Sequence, residues 1–255
     1  MSTLFGNLSN DGLEESQDRL GGYQPRNSNI YEFVVKAMFA GVSDGGARSV
    51  TFIGEEGGKE YRETFWVTNK NGENWFPAKD KQGKPTGKKS PLPGFTMVDD
   101  ICLITTGKGL AEQDAEDKVV KVWEDGKEVN KAMPHLVDVA GQKVALGVLR
   151  RLVNKNVKND AGVYVPGPEE REENVTDKVF HPELKLTCAE ARNEATEPVF
   201  WDAWLNLNKD KVKDGRKYDA KTGGTAGGPP QSSKSGAPAA GGAPAGERKS
   251  LFGKK

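Results

Sequence analysis

The chain has 255 residues and 27.6 kDa, with 35% apolar and 29% charged residues and a mean hydropathy of −0.68. That is enough for one large domain with appendages. Its 37 basic and 37 acidic residues cancel, which argues against a globally basic coat for nucleic acid. No run of 18 apolar residues occurs, so a transmembrane helix is not expected. The start, Met1-Ser-Thr-Leu-Phe-Gly-Asn7, has no basic, apolar or secretory character. Two distant cysteines, Cys102 and Cys188, make no disulfide framework, and a reducing, cytoplasmic setting is the default expectation.

In chain order, residues 1–28 are polar and Gly/Asn/Ser-rich and read as a flexible arm. Residues 29–222 carry nearly all the large apolar side chains and form the predicted domain. Ile30–Val42, Ser49–Ile53 and Tyr61–Thr68 read as strands from their alternation and β-branched or aromatic content. Asn71-Gly72 predicts a hairpin turn, with Trp75-Phe76 opening the returning strand. Phe95–Thr105 fits either a helix or a buried strand. Ala111–Asp117 reads as helical and Lys118–Trp123 as a strand. Gln142–Val153 reads as a long central strand. Tyr164–Pro168 and Asn174–Phe180 are short segments of open type. Pro198–Asn206, with Phe200, Trp201, Trp204 and Leu205, has the spacing of a short amphipathic helix. The expected fold class is mainly β with some α, in the form of a curled sheet or barrel.

The hairpin is the most informative constellation. Side chains alternate across a strand, so Arg62, Thr64, Trp66 and Thr68 share one face and Tyr61, Phe65 and Val67 the other. A two- or a four-residue loop at Asn71-Gly72 puts Trp66 and Trp75 on the face of Arg62 and assigns Phe76 to the core. Lys79, Lys81, Lys84, Lys88 and Lys89 follow on a Gly/Pro-rich loop that holds a single acid, Asp80. Exposed indoles beside cations make a platform for unpaired bases, because every base has a π face and every nucleotide a phosphate. The competing reading packs both tryptophans under a loop or helix as ordinary core. Arg150, Arg151, Lys155 and Lys158 form another basic cluster, from which Arg150 and Lys155 join the candidate DNA-binding set.

Enzymatic chemistry finds little support. Gly83-Lys-Pro-Thr-Gly87-Lys-Lys-Ser90 is one residue short of a phosphate-binding loop, contains Pro85, and is followed by Ser90-Pro-Leu-Pro93, which predicts no helix there. Cys102, Cys188, His135 and His181 lack metal-ligand spacing, and buried cysteines acting as small apolar residues are the simpler reading. With two histidines and no nucleophile motif, no catalytic triad, metal or cofactor is expected. Asp99-Asp100 and Glu169-Glu170 have a simple solvated reading.

Residues 223–246 are Gly, Ala, Pro, Ser and Thr with one charge, a composition expected to be disordered with a root-mean-square span of about 25–30 Å. Residues 247–255, Glu-Arg-Lys-Ser-Leu-Phe-Gly-Lys-Lys, form a basic peptide with Leu251 and Phe252 at its centre, a layout suited to docking on a partner. Leu-Phe-Gly also occurs at Leu4-Phe5-Gly6, after Thr3 as the tail copy follows Ser250.

The arm, the aromatic and lysine-bearing domain, the tether and the terminal Ser250-Leu-Phe-Gly-Lys254-Lys255 together resemble the phage single-stranded-DNA-binding proteins, most closely those of the Schitoviridae podoviruses. The resemblance covers the whole chain in layout and is most specific in its tail. It implies an oligonucleotide-binding (OB-like) Greek-key barrel with insertions and a role in phage DNA replication and recombination beside phage replication proteins. It also implies coactivation of host RNA polymerase through the tail, with Ser250, Lys254 and Lys255 as activation positions. Bacterial single-strand binders end in an acidic tail, whereas this chain ends basic, so a surface that reads acidic tails is not expected to read this one. The alternative expectation is a non-enzymatic protein–protein or structural module in which the hairpin is a partner groove.

Overall fold

The computed structural model describes residues 24–124, 127–160, 162–218 and 251–252. The chain is mainly β. A meander of β1 (Asn29–Val42), β2 (Arg48–Glu56) and β3 (Lys59–Trp66) opens the domain. A short ribbon follows, β4 (Trp75–Lys79) with β5 (Pro85–Pro91), and then helix α1 (Pro93–Thr106). Next come β6 (Ala115–Glu124) and β7 (Lys127–Leu136), then the long pair β8 (Lys143–Lys158) and β9 (Tyr164–Phe180). Helices α2 (Cys188–Arg192) and α3 (Val199–Asn208) and the short strand β10 (Val212–Asp214) complete the domain.

The organising strand is β1. It pairs with β2 along one edge from Val34 to Val42 and, on the other, with β8 from Asn29 to Val34 and then with β7 at Phe39. A bulge between Val35 and Ala37 bends it, and bulges of this kind increase local twist. The larger sheet therefore runs β9-β8-β1-β2-β3, with β7 and β6 alongside β1 and β10 pairing in parallel with β8. It stays open among the described residues, since no backbone ladder joins β3 to β9.

The first part of strand β8, from Val144 to Leu149, is buried on both faces, which is why its sequence is a continuous apolar run rather than an alternation. Val144, Leu146 and Val148 join the main core with Phe33, Val35, Phe52, Tyr61 and Phe65. Ala145 and Leu149 face a second cluster with Phe180 and Trp204 of α3. Between them Gly147 leaves room for the Trp204 indole, whose ring carbons would lie 3.0 Å from any Cβ there. The indole N–H donates to Asp177 at 2.7 Å, so the one polar atom of that ring is satisfied in place.

Helix α1 adds Val98, Ile101, Cys102 and Leu103 to the main core. It begins at Pro93, in contrast to the expectation of no helix after Ser90. Proline at the first helical position has no N–H to lose and a φ already suited to the helix. The expectation that Asp99 and Asp100 are solvated is also corrected. Asp99 is buried and accepts the Leu110 N–H at 2.8 Å. Burial pushes Asp100 up to about 6, although Arg192 lies 3.7 Å away. Both cysteines are buried and unpaired, and burial pushes the Cys102 thiol up to about 12.

Four further expectations differ from the structure. Ala111–Asp117 is not helical beyond a 3-10 turn at Leu110–Glu112, and its second half enters β6. Tyr164–Pro168 and Asn174–Phe180 belong to one continuous strand of 17 residues. Phe76 is 44% exposed rather than in the core. Residues 79–89 form a hairpin, not a loop. Residues at the end of the expected arm are tied to the domain. Arg26 exchanges two hydrogen bonds with Asn174 and reaches Glu56 and the Lys59 carbonyl, and buried Ser28 joins Lys211 to Arg150. Among the described residues no helix is long and apolar enough to cross a membrane. The arm before residue 24, with Leu4-Phe5-Gly6, and the linker 223–246 lie outside the described residues, as do Ser250, Lys254 and Lys255.

Candidate nucleic-acid interface

Strand β3 carries the predicted alternation. Tyr61 and Phe65 are buried, as is Val67 just beyond, while Arg62, Thr64 and Trp66 face outward, Trp66 at 51% exposure. The Arg62 guanidinium lies 5.7 Å from the centre of the Phe39 ring on β1, a cation–π contact that steadies it on the sheet surface.

The route from Trp66 to Trp75 differs from the expected hairpin. Asn71-Gly72 does form a turn, with the Asn69 side chain accepting the N–H groups of Asn71 and Glu73 at 2.9 and 3.0 Å. That turn does not pair β3 with β4. Strand β3 pairs only with β2, and β4 pairs with β5 in a separate two-stranded sheet. The expected placement of Trp66 and Trp75 on one face of a single hairpin is therefore corrected: they lie on strands of separate sheets.

The two tryptophans are tied to the same helix start instead. Gly94 packs so closely on β3 that a Cβ there would stand 2.3 Å from the Trp66 carbonyl oxygen. Three residues earlier, Pro91 is the register partner of Trp75, and the Leu92 N–H donates to the Asn74 carbonyl at 2.8 Å. The N-terminal turn of α1 thus fixes the end of β3 and the base of the ribbon.

The ribbon itself concentrates cations. Asp80 closes its turn by accepting the N–H groups of Gln82 and Lys84, each at 2.9 Å. This spends the one local carboxylate on backbone rather than on an ammonium. Lys79, Lys81, Lys84, Lys88 and Lys89 are all exposed. The Lys89 Nζ sits 3.8 Å from the centre of the half-buried Trp75 ring, and Phe76 is exposed on the next residue. An aromatic and cationic finger of this kind offers both halves of nucleotide recognition, a π face and phosphate-neutralising charge. Phe76 belongs to it, although the expected register had hidden it in the core.

Arg150 and Lys155 are not brought to the ribbon. They lie on β8 opposite β9, where Arg150 Nε donates to Glu172 at 3.0 Å and Lys155 meets Glu169 at 2.7 Å. Arg150 also reaches the Asn27 side chain. Their charges are already answered by carboxylates. The Gly83–Ser90 segment forms the end of the turn and strand β5, a geometry without a phosphate cradle. Among the described residues, no three His, Cys, Asp or Glu side chains stand together as metal ligands.

Searches of family models, curated proteins and solved structures return no match for this chain.

Proposed function

We propose that this chain is a single-stranded-DNA-binding protein of a bacteriophage, holding the strand without strong sequence preference by aromatic stacking and phosphate neutralisation. The observation that carries the reading is the β4–β5 ribbon, with Lys89 over Trp75 and four further exposed lysines, rooted beside the outward Trp66 and Arg62. The strand order β9-β8-β1-β2-β3, with a helix between the third and fourth strands in chain order, supports an OB-like barrel with insertions. Tyr61 and Glu63 reach across from β3 to Thr176 on β9, where such a barrel would close. In this reading β6–β7 and β4–β5 are the insertions, and the protein is non-enzymatic and needs no cofactor.

By the layout of its tail, the protein acts in the cytoplasm of an infected host in phage DNA replication and recombination. The terminal peptide, with Ser250, Leu251, Phe252, Lys254 and Lys255, recruits replication proteins and host RNA polymerase. The test is a titration with oligo-dT at low and high salt, read by tryptophan fluorescence. Quenching is expected, with a log–log salt slope of about −3 to −4 for four to six neutralised phosphates. No quenching and no mobility shift at low salt would overturn the reading.

A further inference from the structure

The main core is also contacted from beyond the domain. Leu251 and Phe252, far beyond the last domain residues in sequence, are partly buried and pack against it. The Phe252 ring lies 4.8 Å from the His181 ring, centre to centre, at 36°. That imidazole is held in place: its Nδ1 accepts the N–H groups of Glu183 and Leu184 at 3.2 and 3.1 Å. The tight turn that follows β9 returns hydrogen bonds to both backbone groups of His181. An open cleft of about 270 Å³ adjoins His181, lined also by Ile104, Thr105, Gln142, Lys143 and Glu183. The apolar contacts of the Leu-Phe pair are with the main core and the His181 ring. The cleft itself is mostly polar and carries one charge of each sign, Lys143 and Glu183.

We propose that the surface around His181 is a receptor for the chain's own terminal peptide, engaged in cis through Leu251 and Phe252. The domain and its tail then form a two-state pair, docked or free. Only the free state offers Leu251 and Phe252 to another protein, so docking lowers the apparent affinity of any tail-directed partner by the docked fraction. A random chain as long as residues 219–250 has a root-mean-square span of about 30 Å, long enough to return to the surface of its own domain. The inference does not depend on DNA binding. It concerns a different face from the ribbon and is tested without DNA.

The experiment is NMR of the His181 ring protons in the full chain and in Phe252→Ala, a substitution in the tail that leaves the domain sequence intact. The wild-type chain is expected to show a ring-current displacement that disappears in Phe252→Ala and is independent of protein concentration. A synthetic peptide of residues 247–255 added to Phe252→Ala should restore the displacement with half-saturation at or below about 1 mM, the effective concentration set by such a tether. The same peptide with alanine at the Phe252 position should not. Identical His181 spectra in the two proteins would overturn the proposal, as would no response to about 5 mM peptide. Dependence on protein concentration would assign the surface to a second copy, and disappearance of the signal in Phe5→Ala would assign it to the N-terminal Leu-Phe-Gly. Either result overturns docking of the terminal peptide in cis.

Discussion

The carboxylate of Glu63 on β3 accepts the backbone N–H of Thr176 on β9 at 2.9 Å, and the same oxygen accepts the Tyr61 hydroxyl at 2.7 Å. Two strand edges that share no ladder are thus joined by the side chains of Glu63 and Tyr61, whose hydroxyl also meets the Thr176 hydroxyl at 3.2 Å. Replacing Glu63 by alanine strands that N–H and is expected to cost about 1–3 kcal/mol. Glu63→Gln keeps an acceptor and should cost less. Urea denaturation of the two variants measures the difference.

Burial raises the Glu63 carboxyl above its usual range despite those two donors, and pushes Asp100 up to about 6. Between the unfolded and folded values the native state binds more protons than the unfolded chain. Stability then falls as pH rises through that window. These two groups therefore make the protein more stable near pH 4 than at pH 7. Asp100→Asn should flatten the Tm-versus-pH curve from pH 4 to 6. A variant as pH-dependent as wild type there would contradict this.

Gly94→Ala places a methyl group 2.3 Å from the Trp66 carbonyl oxygen. Helix α1 must shift or the end of β3 must give, at an expected cost of about 1–3 kcal/mol. Because the same turn fixes the base of the ribbon, oligo-dT affinity should fall in the folded fraction as well. Calorimetry and the titration together separate the two effects.

Trp66→Ala and Trp75→Ala should each weaken oligo-dT binding by about 1–3 kcal/mol, the value of one stacked base, with little change in Tm because neither indole is in the core. Trp204→Ala is the control. Its ring is buried and bonded to Asp177, so it should lose about 3–5 kcal/mol of stability while leaving affinity per folded molecule intact. Unchanged affinity in both ribbon-side variants, with a broken partner interaction, would favour a protein–protein module instead.

Charge removal should divide the cationic residues into two groups. Substituting glutamine for Lys84 and Lys88 is expected to flatten the salt slope by about 0.7 for each phosphate of a single strand that is no longer neutralised. Arg150→Ala should weaken the fold and hardly alter the slope, since Glu172 and Asn27 already hold that guanidinium. A large drop in binding in Arg150→Ala would return β8 to the interface.

Strands β1 and β3 and helix α3 are legible because each buries mainly one face and so alternates or repeats in the chain, and β2, buried on both faces, is legible from its β-branched and aromatic residues. The buried core of β8 was legible as an uninterrupted apolar run. Strand β9 was split in the sequence because Gly167, Pro168 and the acidic stretch Glu169–Glu173 conceal it. Its ladder with β8 runs from Phe180 to Glu170, skips Gly167, Pro168 and Glu169 at an irregularity between Asn154 and Asn156, and resumes at Pro166. The ribbon has no sequence signature as a hairpin, because strands so exposed need no apolar face and so leave no periodicity. The outward placement of Arg62 and Trp66 follows from strand alternation, and the exposure of the five lysines from their residue type. What sequence could not supply was pairing. Asn71-Gly72 marks a turn, but the ladder that β4 joins is set by Pro91 and Asn74, and only packing selects it. The approach of Phe252 to His181 had no local signature at all.

The ribbon β4–β5 forms a sheet of its own and shares no ladder with the larger sheet. Substitutions along it therefore leave every strand pairing of the larger sheet intact, so its surface chemistry and the stability of the core can vary independently.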